Sequence, residues 1–172
     1  ISRNGFAIIA ADPEEFLRIN VGFSGNLFKS AMSLSNKGEE LSLVADGKTY
    51  ASMSYSSLSG ANGNGMSLQY TNGREWLQSF PTPGRENVIF FGGGGGGTGV
   101  QSQTQQTQSP PPIDESTTTA AAVSHLLMSE ILFNAEGSDD GKEFIEFYNP
   151  SPAPANLDGW ALRYKTDNST TT

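Results

Sequence analysis

ELSLVADGKTYASMSY, residues 40–55, carries the pattern that decides the fold. Glu40-Leu41-Ser42-Leu43-Val44 alternates polar and apolar side chains with the two-residue period of a half-buried strand. Asp46-Gly47 follows, a dipeptide that tolerates the positive φ angles of a two-residue hairpin. Lys48 to Tyr55 reads as the return strand. Just upstream, Leu34-Ser35-Asn36-Lys37-Gly38 is a tight turn, because Asn and Gly accept positive φ. Further back, GFAIIAA (residues 5–11) is a short apolar run after a glycine and reads as a buried strand. Asp12-Pro13-Glu14-Glu15-Phe16-Leu17 fits a helix start, with Asp as N-cap, Pro in the first turn and acids at the positive helix end. That helix, near Pro13 to Ile19, is short because Asn20 and Gly22 interrupt it. Downstream, Met66 to Tyr70 is another strand and Trp76 to Pro83 an extended closing segment. Pro81 and Pro83 argue against a central strand there.

Past Val88 the composition changes. Residues 89–123 hold six consecutive glycines (Gly92 to Gly97) and then a Gln/Ser/Thr/Pro tract ending in alanines. Such residues bury too little apolar area to offset the entropy of ordering, so the segment reads as a linker. Its glycine part is floppy and Pro110-Pro111-Pro112 stiffer. Residues 124–172 return to strand chemistry. Leu126 to Phe133 and Glu143 to Tyr148 are strands joined by a polar turn. Asn149 to Pro154 holds three prolines and can be neither helix nor strand interior. Leu157 to Gly159 turns into a third strand, with Trp160 as its core anchor. The expected organisation is therefore 1–88, linker 89–123, and 124–172, in an all-β sandwich with one short helix.

The charge balance narrows the function. Eighteen acidic residues face ten basic ones, a net charge of −8. This argues against a dedicated nucleic-acid binder, which needs a basic face. There is no cysteine, so disulfides, thiolate metal sites and a Cys nucleophile are excluded. One histidine, His125, excludes a multi-His zinc site and speaks against a Ser-His-Asp hydrolase. No apolar run approaches the roughly 20 residues of a membrane-spanning helix. No cofactor is expected. The opening ISRNG and the closing NSTTT are read as cuts through a longer protein.

Three motifs in the last segment resemble the N-terminal half of a lamin-tail domain: SEILFN (129–134), EFIEFYNP (143–150) and LDGWALRY (157–164). Their order and spacing are those of the family, with Asn149 closing one strand and Gly159-Trp160 opening the next. The first segment is similar to the C-terminal half of the same family. GFAIIA (5–10), LSNKGEELSLVADG (34–47) with Gly38, Asp46 and Gly47, the return strand to Tyr55, Trp76, and PTPGREN (81–87) with Pro83, Gly84 and Asn87 carry the likeness. Ala51 departs from it, since related bacterial sequences often place Asp in that return strand. The two halves stand in reversed order, as in a tandem array sampled from the middle of one copy to the middle of the next, or in a circular permutant. The resemblance implies an immunoglobulin-like antiparallel sandwich of bacterial type, extracellular or on the cell surface. It implies a non-catalytic module that presents loops and strand edges to a protein or a cell-surface polysaccharide. The alternative is an accessory domain of a secreted hydrolase such as a nuclease. One composite sandwich is expected from the two halves, with Ile1 and Thr172 close together.

Several residues invite sharper readings. Glu130, Glu143 and Glu146 lie on neighbouring strands. Paired carboxylates about 5–9.5 Å apart cleave glycosides, but a solvent-facing β surface often carries such acids, and that structural reading is preferred. Asn134, Glu136, Ser138, Asp139 and Asp140 form an oxygen-rich turn. Ca²⁺ favours such ligands, yet the turn lacks the EF-loop pattern and reads as a solvated hairpin. The six glycines have no following Lys-Ser/Thr and make no phosphate loop. Trp160, Phe144, Phe147 and Tyr148 at strand spacing are core rather than a ligand platform. Asn168-Ser169-Thr170 fits the glycosylation acceptor pattern. Asn149 and Asp158 are expected to fix turns.

Overall fold

The computed structural model describes residues 1–71, 75–89 and 126–166. Apart from its first residue, the linker lies outside them. So do His125, the Asn168-Ser169-Thr170 pattern and Thr172. The described chain is an all-β sandwich with a single short helix. The strands are β1 (Phe6–Ala10), β2 (Asn26–Lys29), β3 (Gly38–Ala45), β4 (Lys48–Ser56), β5 (Ser67–Tyr70), β6 (Trp76–Ser79), β7 (Leu127–Leu132), β8 (Phe144–Tyr148) and β9 (Ala161–Thr166); the helix is α1 (Pro13–Ile19). Six strands form one sheet in the order β2-β1-β8-β7-β5-β6, and three form the other, β4-β3-β9.

The hairpin at 46–47 is present, with Asp46 and Gly47 at φ 49° and 72°. Both sheets draw on both ends of the chain. β8 lies between β1 and β7, β7 pairs with β5, and β9 pairs with β3. The described residues on the two sides of the linker accordingly form one unit. Between the sheets lie Leu41, Leu43, Met53 and Tyr55 from the smaller one and Leu68, Met128, Ile131, Ile145 and Phe147 from the larger. Ile9, Leu162 and Trp160 pack against this cluster.

Two expectations are corrected. The sheet is not purely antiparallel: β1 and β2 run parallel, with Ile8 opposite Leu27. The reason is α1, which returns the chain across the sheet as in a small βαβ unit. Trp160 anchors the core only in part, packing against the inter-sheet cluster without being buried. It is partly exposed at the margin of the core, its ring 4.6 Å from that of Tyr50.

α1 covers the outer face of the larger sheet. Phe16 packs there with Ile8, Ala10, Leu132 and Phe144, and meets Phe23 and Phe144 edge-on at 5.1 and 5.5 Å. Asp12 caps the helix, accepting from the amides of Glu14 (3.0 Å) and Glu15 (3.4 Å). Asp12→Ala leaves these amides without their acceptor. It is expected to cost about 1 kcal/mol in urea unfolding, while Asp12→Asn stays within a few tenths.

Candidate functional site

The three glutamates singled out from sequence are not on a solvent-facing surface. Glu130 and Glu146 are 0% exposed and Glu143 6%. The cause is local. A bulge in β7 between Met128 and Glu130 inserts one residue, so Ser129 and Glu130 both turn to the outer face of the larger sheet while Met128 and Ile131 keep the inner one. Glu130 then stands opposite Glu146 of β8. The loop after β6 lies over this pair.

That loop is the PTPGREN segment. Arg85 donates its amide to the Thr82 carbonyl (3.1 Å), closing a turn with Pro83 and Gly84 at its corner. Gly84 has φ 78°, and a Cβ there would come within 2.9 Å of the Phe23 ring. Pro followed by a positive-φ Gly is the type II pattern. The turn aims backbone donors at the carboxylates. The Thr82 amide donates to Glu130 Oε1 (3.1 Å) and Oε2 (3.2 Å), and the Gly84 amide to Glu146 Oε2 (2.6 Å). Glu130 also accepts from Ser67 Oγ, from Gln69 Nε2 (3.4 Å) and from Thr82 Oγ1 (3.3 Å). Glu146 Oε1 faces Ser129 Oγ at 2.6 Å. Asn87 completes the seal, donating to the carbonyls of Tyr70 (2.9 Å) and Ser129 (2.7 Å).

Burial pushes the Glu146 carboxyl up to about 8, opposed by its bonds from Ser129 and Gly84. Burial also raises Glu130, and the bonds from Ser67, Thr82 and Gln69 offset this only in part. The donors separate the two roles. Glu130 has the richer set and suits a carboxylate. Glu146 has one amide and one hydroxyl, and a hydroxyl can accept a proton bond, so Glu146 is the member suited to the neutral acid. Chemically the pair fastens a loop.

A second acidic group sits at the β3 end of the core. Glu39 is buried opposite Tyr55, whose hydroxyl lies 3.5 Å from Glu39 Oε2, while Glu39 Oε1 has no hydrogen-bond partner. Burial raises both the Glu39 carboxyl and the Tyr55 phenol. Glu143 accepts from the Leu34 amide (3.0 Å) and is pushed up to about 7 by burial, with Asp139, Glu39 and Asp140 adding repulsion. Glu143 borders an open cleft of about 670 Å³ whose wall includes Asp12, Ser35, Asn36, Asp139 and Asp140.

The oxygen-rich turn does not converge. Asn134 bonds Asn62, Asp139 accepts from Asn36 (2.7 Å), and the Glu136 carbonyl accepts from Lys142 Nζ (3.1 Å). Among the described residues no cluster of three or more His, Cys, Asp or Glu could hold a metal ion. No helix among them is long and apolar enough to cross a membrane. Phe144 and Phe147 are buried; Tyr148 is partly buried against Phe6, their rings 5.0 Å apart. Asn149 is buried and donates to the carbonyls of Ile1, Ser2 and Ala153. Asp158 bonds Asn156 in a local turn, and Gly159 takes φ 77°. Trp76, in edge strand β6, lies against Tyr70 at 5.4 Å.

Sequence reasoning missed Ser67, Gln69, Thr82 and Ser129. Their signal was an i, i+2 polar pair on β5 beside two acids, which is weak until the pairing is known. Compared with protein-family models, with curated proteins and with solved structures, the chain has no match.

Proposed function

We propose that the chain is a non-catalytic interaction module of lamin-tail type. It is an immunoglobulin-like sandwich that serves attachment or display within a larger surface or secreted bacterial protein. The observation that carries this reading is the use made of Glu130 and Glu146. Both are withdrawn from solvent, and their oxygens accept the backbone amides of the PTPGREN loop. A glycosidase pair must reach substrate and water, whereas these acids hold one part of the fold to another. The motifs that carry the family resemblance thus meet in one place: SEILFN supplies Glu130, EFIEFYNP supplies Glu146, and PTPGREN supplies the donors.

A fusion of the full chain to a fluorescent protein tests the reading by co-sedimentation with isolated bacterial envelope fragments. Saturable retention is expected, unchanged by Glu146→Gln. Absence of retention, together with turnover of polysaccharide or DNA by the unfused chain, would overturn it.

A further inference from the structure

The two sheets differ in width, six strands against three, and β9 is an end strand of the narrower one. It pairs with β3, and among the described residues no strand runs along its other edge. Its pleat is fixed by the register Leu43 opposite Leu162 and Leu41 opposite Tyr164. Leu41 and Leu43 are core residues, so Leu162 and Tyr164 share the interior-facing side. Tyr164 is nevertheless 48% exposed. Next to Leu162 opens an apolar cleft of about 380 Å³, bordered by Ile1, Ile9, Phe28, Leu157 and Trp160. Phe28, on the end strand β2 of the wider sheet, is 45% exposed. The wider sheet therefore runs on past the last strand of the narrower one.

The outer side of β9 carries the alternate residues Arg163 and Lys165, both exposed. Glu40 stands opposite Lys165, but the ion pair found among the described residues is Arg18 with Glu15. An occupant of this edge needs unpaired strand amides, apolar side chains turned to the cleft, and carboxylates at the alternate positions beside the two cations. We propose that β9 is the docking edge for an extended polypeptide in which acidic and apolar residues alternate. It adds a fourth strand to the small sheet and roofs the cleft. The proposal rests on the reading of the chain as an interaction module and names its contact site. A second copy is disfavoured, since antiparallel β9–β9 pairing sets these like charges against one another.

The test uses the full chain with Trp76→Phe, which leaves Trp160 at the cleft as the sole tryptophan. Two end-blocked peptides are titrated, one alternating Glu and Val, the other Lys and Val. The Glu–Val peptide is expected to shift Trp160 emission and to bind about tenfold more tightly, from two cross-strand charge pairs. Arg163→Glu with Lys165→Glu is expected to reverse the order. Equal binding, no response to either peptide, a preference that survives charge reversal, or dimers in sedimentation that shut out both peptides would each overturn it. If the peptides fail while the fluorescent fusion is still retained on envelope fragments, this site alone falls. If retention is lost as well, the interaction reading falls with it.

Discussion

Raising the pH from 5 to 8.5 is expected to weaken the fold by about 4 kcal/mol, most of it from Glu146. In the unfolded chain this glutamate loses its proton near 4.5; in the folded chain it keeps it to about 8. Below 4.5 both states hold the proton and the contribution to the slope is flat. Between 4.5 and 8 the folded state holds the extra proton, so each step up in pH favours unfolding, by about 1.4 kcal/mol per unit. Above 8 both states are ionised and the curve levels. Glu143, held up to about 7, acts in the same direction, discounted because it borders an open cleft. Glu15 is lowered by its bond from Arg18 and acts only below the usual carboxylate range. Against a typical stability of about 5–15 kcal/mol this is a large fraction. Tm should drop by about 10 °C between pH 5 and 8.5. The diagnostic variant is Glu146→Gln. An amide can donate to Ser129 Oγ and accept from the Gly84 amide, so it copies the neutral acid and cannot ionise. Urea midpoints for Glu146→Gln should fall much less across this range, the remaining slope coming from Glu143 and the other raised carboxyls, Glu39 and Glu130. Equal wild-type stability at pH 5 and 8.5 would refute the assignment.

The neighbouring substitution should behave in the opposite way. Glu130→Gln is expected to cost about 2–4 kcal/mol and Glu130→Ala about 3–5, at any pH where the protein folds. Both Glu130 oxygens face the Thr82 amide, and Gln69 Nε2 adds a further donor. An amide nitrogen at either position is set against the Thr82 amide, and only a reoriented Ser67 or Thr82 hydroxyl can accept from it. Alanine leaves the Thr82 amide without its acceptor in a site closed to water, while Ser67 keeps the Ser79 carbonyl and Gln69 the Phe80 carbonyl. The readout is the chemical denaturation midpoint, with exchange of the Thr82 and Gly84 amides as a local probe. A loss below 1 kcal/mol for Glu130→Gln would mean that the two glutamates are interchangeable, and the division of roles would be wrong.

Local chemistry made much of the fold legible. The hairpin at 46–47 needs two residues tolerant of positive φ, and Asp-Gly announces them. The helix at Pro13–Ile19 is written in its cap, its proline and its terminal Asn20. Non-local geometry was not legible. Strand β2 has four residues and little alternation, and its parallel place depends on how α1 crosses the sheet. Glu130 changes face only because β7 bulges, and a bulge leaves no mark in Leu-Met-Ser-Glu-Ile-Leu. Strict alternation groups Glu130 with Met128. Trp160 has the size of a core anchor, but it opens the end strand of the three-stranded sheet and is therefore only partly enclosed. The acids were found and misjudged, because their partners are amides of a loop more than forty residues away.

The interleaving of the strands has a consequence for synthesis. As the chain leaves the ribosome, β1 through β6 emerge while the places between β1 and β5 stay vacant, because β7 and β8 come later. Within residues 1–172 the strands that fill that gap come only after residue 126. At ordinary elongation rates the wait is on the order of ten seconds, during which the borders of two incomplete sheets stay unpaired. Within these residues the larger sheet therefore closes only once β8 has been made, and its many distant pairings place the fold among the slow ones.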